Sequence, residues 1–389
     1  MGEIAHDAAT FGFQSLLQAA GLQGPNGAPI TEALALVLAG GVGFGSVAAP
    51  SGSPVRWFVS GRHNWHGDLA YLREAITRVG LSVFWFEHDH PTVLARALAN
   101  WLEAPDACVL AWVDAAELPW HGLSPAWQGL APRVVVLRGA DAQRGVRVED
   151  LGGAARLLPH SDLAAARQAI TKHHGRIARL TEERPAVDVP RALVSGLRAS
   201  AQGLCQGHGD VQGLPALRVW AERLAQGDGF LVPFPLPTDI LPALLDLHRA
   251  IRSGDGLLRE CFADGVAEAA ALLRHDALAA HRQVWRELGR SWTDIADRCL
   301  PQESSFAALQ QLAEQVDQGV SAGAAASDQA AHRRDLNTRL LDAAQQWQPE
   351  SAALRAHLRQ LGRALAVLAL AEQRAAEQLL ATLNEVVLD

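Results

Sequence analysis

At 389 residues the chain is too long for one compact core, so two domains are the natural expectation. Apolar residues make up 49% and charged residues 20%, the balance of an ordinary globular protein rather than a disordered one. The formal net charge of −8 leaves no basic surplus to neutralise phosphates, which argues against nucleic acid as a partner.

The first residues, Met1 to Asp7, lack the positive start and apolar run of a secretory signal, and runs such as Ala33–Leu38 and Val109–Val113 are far shorter than a membrane span. The four cysteines, Cys108, Cys205, Cys261 and Cys299, show neither metal-type spacing nor the density of a disulfide framework. The chain is therefore expected to be cytoplasmic, with reduced thiols and no membrane partner, metal or cofactor.

A first helix is predicted over Phe13–Ala20, extending back to Ala8, and a second over Thr31–Leu38 with Thr31 as N-cap. A glycine cluster follows at Gly40–Gly45; after a helix rather than a strand it is the wrong context for a dinucleotide cradle, and close backbone packing explains it better. Strands are predicted at Val55–Val59, Leu81–Phe86, Cys108–Val113, Val134–Leu137 and Val146–Asp150, with helices at Asp68–Val79 and Pro91–Leu102 between them. Because strands and helices do not alternate strictly, an α+β domain fits better than a doubly wound sheet. His63 and His66 flank Trp65, and His88 and His90 straddle Asp89, but neither pair has a third ligand at a fixed spacing, so loop histidines are the simpler reading. Seven tryptophans, at positions 57, 65, 85, 101, 112, 120 and 127, fall in this half, most of them as core, with one or two suited to lining a cleft.

Glu182-Glu183-Arg184-Pro185 marks a boundary, dividing the chain into domains of 1–185 and 186–389. Beyond it the pattern is helical throughout: Val189–Ala201, Leu214–Gln226, Pro237–Ile251, Leu258–Leu273, Ala277–Arg298 and Phe306–Val320, punctuated by Pro and Gly. Cys205-Gln206-Gly207-His208 lies in a Gly-rich turn among them, where incidental loop residues are the simpler reading. The last helix, from Ser351 to Val387, carries one leucine stripe at Leu354, Leu358, Leu361, Leu365 and Leu368, resuming at Leu383 after a polar turn around Glu372–Arg374. Its partner is either the segment Gln329–Gln346 or a second subunit in a homo-oligomer.

An ordered series of short motifs resembles the butirosin biosynthesis protein H family of acyltransferases. It runs Ile30–Leu34, Gly40–Gly45, Gly61-Arg62, Ala111–Asp114 with Leu118-Pro119, Val134–Val136 and Val148–Asp150. In the second half Gly213–Leu217, Ile251–Gly256, Arg259, Ala267–Ala269 and Trp285 to Trp292 resemble the helical domain of unknown function that accompanies it. The resemblance implies a papain-like first domain followed by an all-α domain. It also implies a place in natural-product biosynthesis, where an acyl group passes from a carrier-protein thioester to an amine. Gly41, Gly43, Phe44, Arg62, Asp114 and Arg133 are by the same resemblance ligand-binding candidates.

The family's chemistry uses a low-pKa cysteine and a histidine oriented by a carboxylate. Here the His-Cys pair that opens the family reads His6-Asp7-Ala8, and the stretch where its histidine stands reads Ala131-Pro132-Arg133, leaving Asp150 in the carboxylate position. Two functions follow. One is a pseudoenzyme that binds a carrier-linked acyl group or small molecule, beside an active family partner. The other is an acyltransferase or hydrolase with a rearranged catalytic set of Asp150, His6, Asp7 and Thr10. For Asp7 and Thr10 the plainer alternative is capping of the first helix.

Overall fold

The computed structural model describes residues 7–386 except 50–54, 65–66, 122–127, 130, 142, 152–154, 171–174, 182–186, 208, 301–303, 323–330, 333–334, 337, 340–341 and 344–351. His6, Trp65, His66, Trp127, His208 and most of Gln329–Gln346 lie outside the described residues. The fold is mixed, with a β-rich N-terminal region and a helical C-terminal part. Two compact units form. The first comprises Met1–Ala35, Asp68–Val189 and Gln318–Arg333; the second comprises Leu36–Gly67, Pro190–Asp317 and Arg334–Asp389.

In the first unit α1 (Ala8–Ala19), α3 (Asp68–Val79), α4 (Pro91–Leu102) and α5 (His160–Ala169) accompany one antiparallel sheet. Its strands are β3 (Val83–Glu87), β4 (Val109–Asp114), β5 (Pro132–Asp141), β6 (Gly145–Glu149), β7 (Arg156–Leu158) and β8 (Arg176–Leu180), in the order β3-β8-β4-β5-β6-β7. Successive side chains alternate between faces. Val109, Ala111 and Val113 of β4 and Val135 and Leu137 of β5 join Leu94, Leu98 and Trp101 of α4 and Leu163 of α5 in one buried cluster. Leu110 and Val134, on the opposite face, receive α1, whose Gly12 lies so near them that a Cβ there would be 3.2 Å from Val134. Helices thus cover both faces of the sheet.

β8 sits inside this sheet between β3 and β4, yet its sequence, Arg-Ile-Ala-Arg-Leu, reads as polar. The arginines are accommodated by indoles: Arg176 lies 5.8 Å from the Trp112 ring and Arg179 5.0 Å from the Trp101 ring. Their stems pack like apolar side chains while the guanidinium finds a π-face.

The second unit holds the hairpin β1 (Val42–Ala49) and β2 (Arg56–Arg62) together with the helices of the C-terminal part. These are α6 (Val189–Cys205), α7 (Gly213–Gln226), α8 (Asp228–Leu231), α9 (Pro237–Ser253), α10 (Arg259–Leu273), α11 (Asp276–Ala279), α12 (His281–Asp297), α13 (Ser304–Ala322, of which 304–317 fall in this unit) and α14 (Ala352–Leu383). The short α2 (Glu32–Leu38) runs in sequence from one unit into the other. The hairpin that sequence placed in the first domain belongs here for a physical reason. Trp57 of β2 packs 4.6 Å from Trp220 of α7 and 5.5 Å from Phe230, and donates to Ser46 Oγ at 2.6 Å. Arg56 pairs with Asp246 of α9.

The leucine stripe of α14 is buried, and Glu372, in the turn that looked polar, is buried with it. The 32 residues of α14 span about 48 Å. Its partners are α7 and α12 of the same unit. Gly362 makes the close approach possible: a Cβ there would stand 2.5 Å from the Ala221 carbonyl of α7. The expected single helix Ala277–Arg298 is two, broken at Ala280.

Candidate functional site

The site is assembled at one end of the first unit's sheet. Asp114 ends β4, is fully buried and caps the turn Ala115–Glu117 by accepting from Ala116 N at 3.0 Å and from Gly129 N. Ala115 N donates to Ala131 O at 2.8 Å. Leu118 and Trp120 are then driven into the apolar cluster, which fixes the second turn, Pro119–His121. Asp114, a ligand-binding candidate by resemblance, holds the loop that presents Trp120 and His121.

Asp150 follows β6 and is 7% exposed. Its Oδ1 accepts from Arg133 Nε at 2.7 Å. Its Oδ2 accepts from Trp120 Nε1 at 3.0 Å and lies 2.7 Å from His121 Nε2. Burial by itself favours the neutral acid, but Arg133, His121 and Trp120 outweigh it and hold Asp150 well below the usual carboxylate range. An ionised Asp150 accepts only, so the His121 nitrogen facing it carries a proton. Arg156 stacks 4.9 Å from the Trp120 ring. Burial lowers the Arg156 pKa, Asp150 opposes that, and the neighbouring Arg133 adds to it.

The histidine beside Asp150 is therefore His121, and the residue at the expected histidine position, Arg133, is a second partner of the same carboxylate. His121 was passed over because it stands next to Leu118-Pro119, read only as part of a motif. Nothing in its local spacing says that a loop turned by Asp114 will return it to the end of β6.

Asp7 and Thr10 form a separate network. Asp7 is the N-cap of α1, accepting from Thr10 N at 2.8 Å and from Thr10 Oγ1 at 2.9 Å. Thr10 Oγ1 also lies 2.8 Å from Tyr71 Oη, and Asp7 N donates to Glu32 Oε1 at 3.0 Å. The sheet keeps these residues apart from Asp150. α1 packs on the face of Leu110 and Val134, whereas Arg133 and Asp150 follow the alternate positions, with Val135 and Val148. The structure therefore does not join Asp7 and Thr10 to Asp150 in one catalytic set.

Gly41, Gly43, Phe44 and Arg62 lie in the second unit. Gly41 has φ +66°, and a Cβ there would fall 2.6 Å from a Phe262 ring carbon; at Gly43 it would fall 2.8 Å from the Arg62 carbonyl. Phe44 is stacked on Trp292 at 6.0 Å. Arg62 is 3% exposed. These positions serve close packing of β1 and β2 against helices.

Within the first unit the one cysteine is Cys108. Cys108 precedes β4 at the end opposite Asp114, about 20 Å away along the strand. Burial pushes its thiol up to about 11. The other three cysteines belong to the second unit. His88 and His90 share a local contact, His90 N donating to His88 Nδ1 at 2.9 Å.

Among the described residues no helix is long and apolar enough to cross a membrane. No curated protein matches the chain. A family model described as a domain of unknown function (DUF4872) matches residues 161–323, so the stretch from α5 through α13 is similar to an uncharacterised domain.

Proposed function

We propose that this chain is a degenerate relative of the butirosin-H-type acyltransferases, with a papain-like first domain, that binds a carrier-protein-linked acyl group or small molecule without thiolate chemistry. The observation carrying the reading is the Asp150 cluster: a carboxylate and an imidazole lie 2.7 Å apart, while the one cysteine of that unit, Cys108, is buried with its thiol pushed up to about 11. Thioester attack by a thiol needs an accessible thiolate. A helix set against an antiparallel sheet, with a carboxylate at the end of a strand, is compatible with the papain-like expectation. The test is mass spectrometry after incubation with an acyl-carrier thioester. Thermal stabilisation without covalent adduct or turnover supports the proposal; an acyl adduct on the protein overturns it.

A second reading is favoured by the imidazole itself. With Asp150 orienting it, His121 is suited to accept a proton from an amine that attacks a bound thioester directly and to return it to the carrier thiolate expelled as the C–S bond breaks, so that no acyl-enzyme forms. In that case an amide product appears without adduct, and Asp150→Asn abolishes it while the protein stays folded.

A further inference from the structure

We infer that the corner formed by Arg133, Asp150 and Arg156 recognises an oxyanion, a phosphate or carboxylate group carried by the ligand. The inference rests on the binding reading above and supplies the chemistry of its ligand.

Asp150 engages only part of the guanidinium of Arg133. Its Nε donates to Oδ1 at 2.7 Å, whereas Nη2 is buried with no hydrogen-bond partner among the described residues. A buried guanidinium nitrogen without an acceptor costs free energy that a bound acceptor recovers. The carboxylate cannot easily supply that acceptor, because its second oxygen already serves Trp120 and His121 at 3.0 and 2.7 Å.

Two guanidinium groups converge on this corner. Arg133 and Arg156 both act on the one Asp150 carboxylate, and Arg133 weakens the hold of Arg156 on its proton. Arg156 is fixed over the Trp120 ring at 4.9 Å, which sets its direction. The side chain of Arg133 is 20% exposed and Arg156 is half-buried, so both side chains reach solvent at this corner. A group with two or three charged oxygens supplies acceptors to the guanidinium fork.

The experiment titrates inorganic phosphate and, separately, acetate into the full-length protein at matched ionic strength. It reads melting temperature and the arginine Nε–H signals in nuclear magnetic resonance spectra. The expected result is a rise of about 2–4 °C at tens of millimolar anion and a saturable shift of the Arg133 signal. In Arg156→Gln the rise falls by half or more, while Arg282→Gln, a surface pair with Asp264 in the other unit, keeps it. The phosphate arm exceeding the acetate arm indicates a phosphodiester such as a carrier arm; the reverse indicates an acyl carboxylate. No shift of the Arg133 signal with either anion, or an undiminished rise in Arg156→Gln, overturns the inference. Carrier binding that persists without an anion effect refutes this inference alone, whereas an acyl adduct on the protein refutes only the functional reading beneath it.

Discussion

Arg259 of α10 and Glu372 of α14 meet as a two-pronged ion pair with neither side chain exposed, Nε to Oε1 at 2.7 Å and Nη2 to Oε2 at 2.8 Å. Arg259 Nη1 donates to the carbonyls of Leu257 and Gly61, and Trp292 Nε1 donates to Glu372 Oε1 at 2.6 Å. The pair thereby ties β2, α10, α12 and α14 of the second unit together. Removing one partner strands a buried charge, so Glu372→Gln is expected to cost roughly 3–5 kcal/mol. The paired replacement Arg259→Met with Glu372→Leu should recover most of that loss. Urea unfolding of the two variants checks this, and equal losses would contradict the account.

The Asp150 cluster makes a pH-dependent prediction. Its folded-state pKa is depressed, so the stability it contributes is complete above the unfolded value of about 3.9 and declines as pH falls toward the folded one. Asp150→Asn is expected to lose roughly 2–4 kcal/mol at pH 7, a figure reduced because Arg133 keeps some solvent contact. Below about pH 4 the gap between wild type and variant should close by about 1.4 kcal/mol per pH unit. Denaturant titrations between pH 3 and 7 measure it; a gap that widens toward acid contradicts the ionised carboxylate.

Much of the secondary structure was legible in the sequence, and most of the failures trace to partners distant along the chain. Asp68–Val79 and Pro91–Leu102 appear as helices with the predicted bounds, because each has a clear apolar period and a local start signal. β8 escaped because Arg176 and Arg179 reach tryptophans distant in sequence. β1 escaped because Gly43 and Gly45 weaken the strand signal. Asp150 was legible as a candidate from its place in the motif series, but its neighbour His121 was not, since their meeting depends on a loop capped by Asp114. The packing of the hairpin was hidden for the same reason: its neighbours, Trp220 and Asp246, are supplied by helices far along the chain.

Gly41 separates packing from ligand binding. It has φ +66° and a Cβ there would lie 2.6 Å from Phe262 and 2.7 Å from Ser200, whose hydroxyl donates to Val42 O at 3.1 Å. Gly41→Ala combines left-handed strain with overpacking and is expected to cost roughly 2–5 kcal/mol. Gly209, in the same unit, has φ +58° with nothing within 4 Å of its Cβ position, so Gly209→Ala should cost only about 1–2 kcal/mol. Thermal melts of both variants test the packing role. A Gly41→Ala protein as stable as Gly209→Ala would return Gly41 to the ligand-binding candidates.

Thiol reactivity tests the chemistry most directly. Cys108 is buried with its thiol pushed up to about 11, so about one in a thousand is ionised at pH 8. Cys261 and Cys299 are buried as well, and burial raises the Cys299 thiol further. Cys205 is half-buried, and burial together with Glu377 raises its thiol too. Native protein treated briefly with iodoacetamide at pH 8 should therefore take up label at Cys205 alone, and slowly, whereas unfolded protein takes it up at all four. Peptide mass spectrometry reads the positions. Fast native labelling of any cysteine at pH 6, where an ordinary thiol is protonated, would reveal an activated thiolate and bring a covalent acyl-transfer mechanism back into consideration.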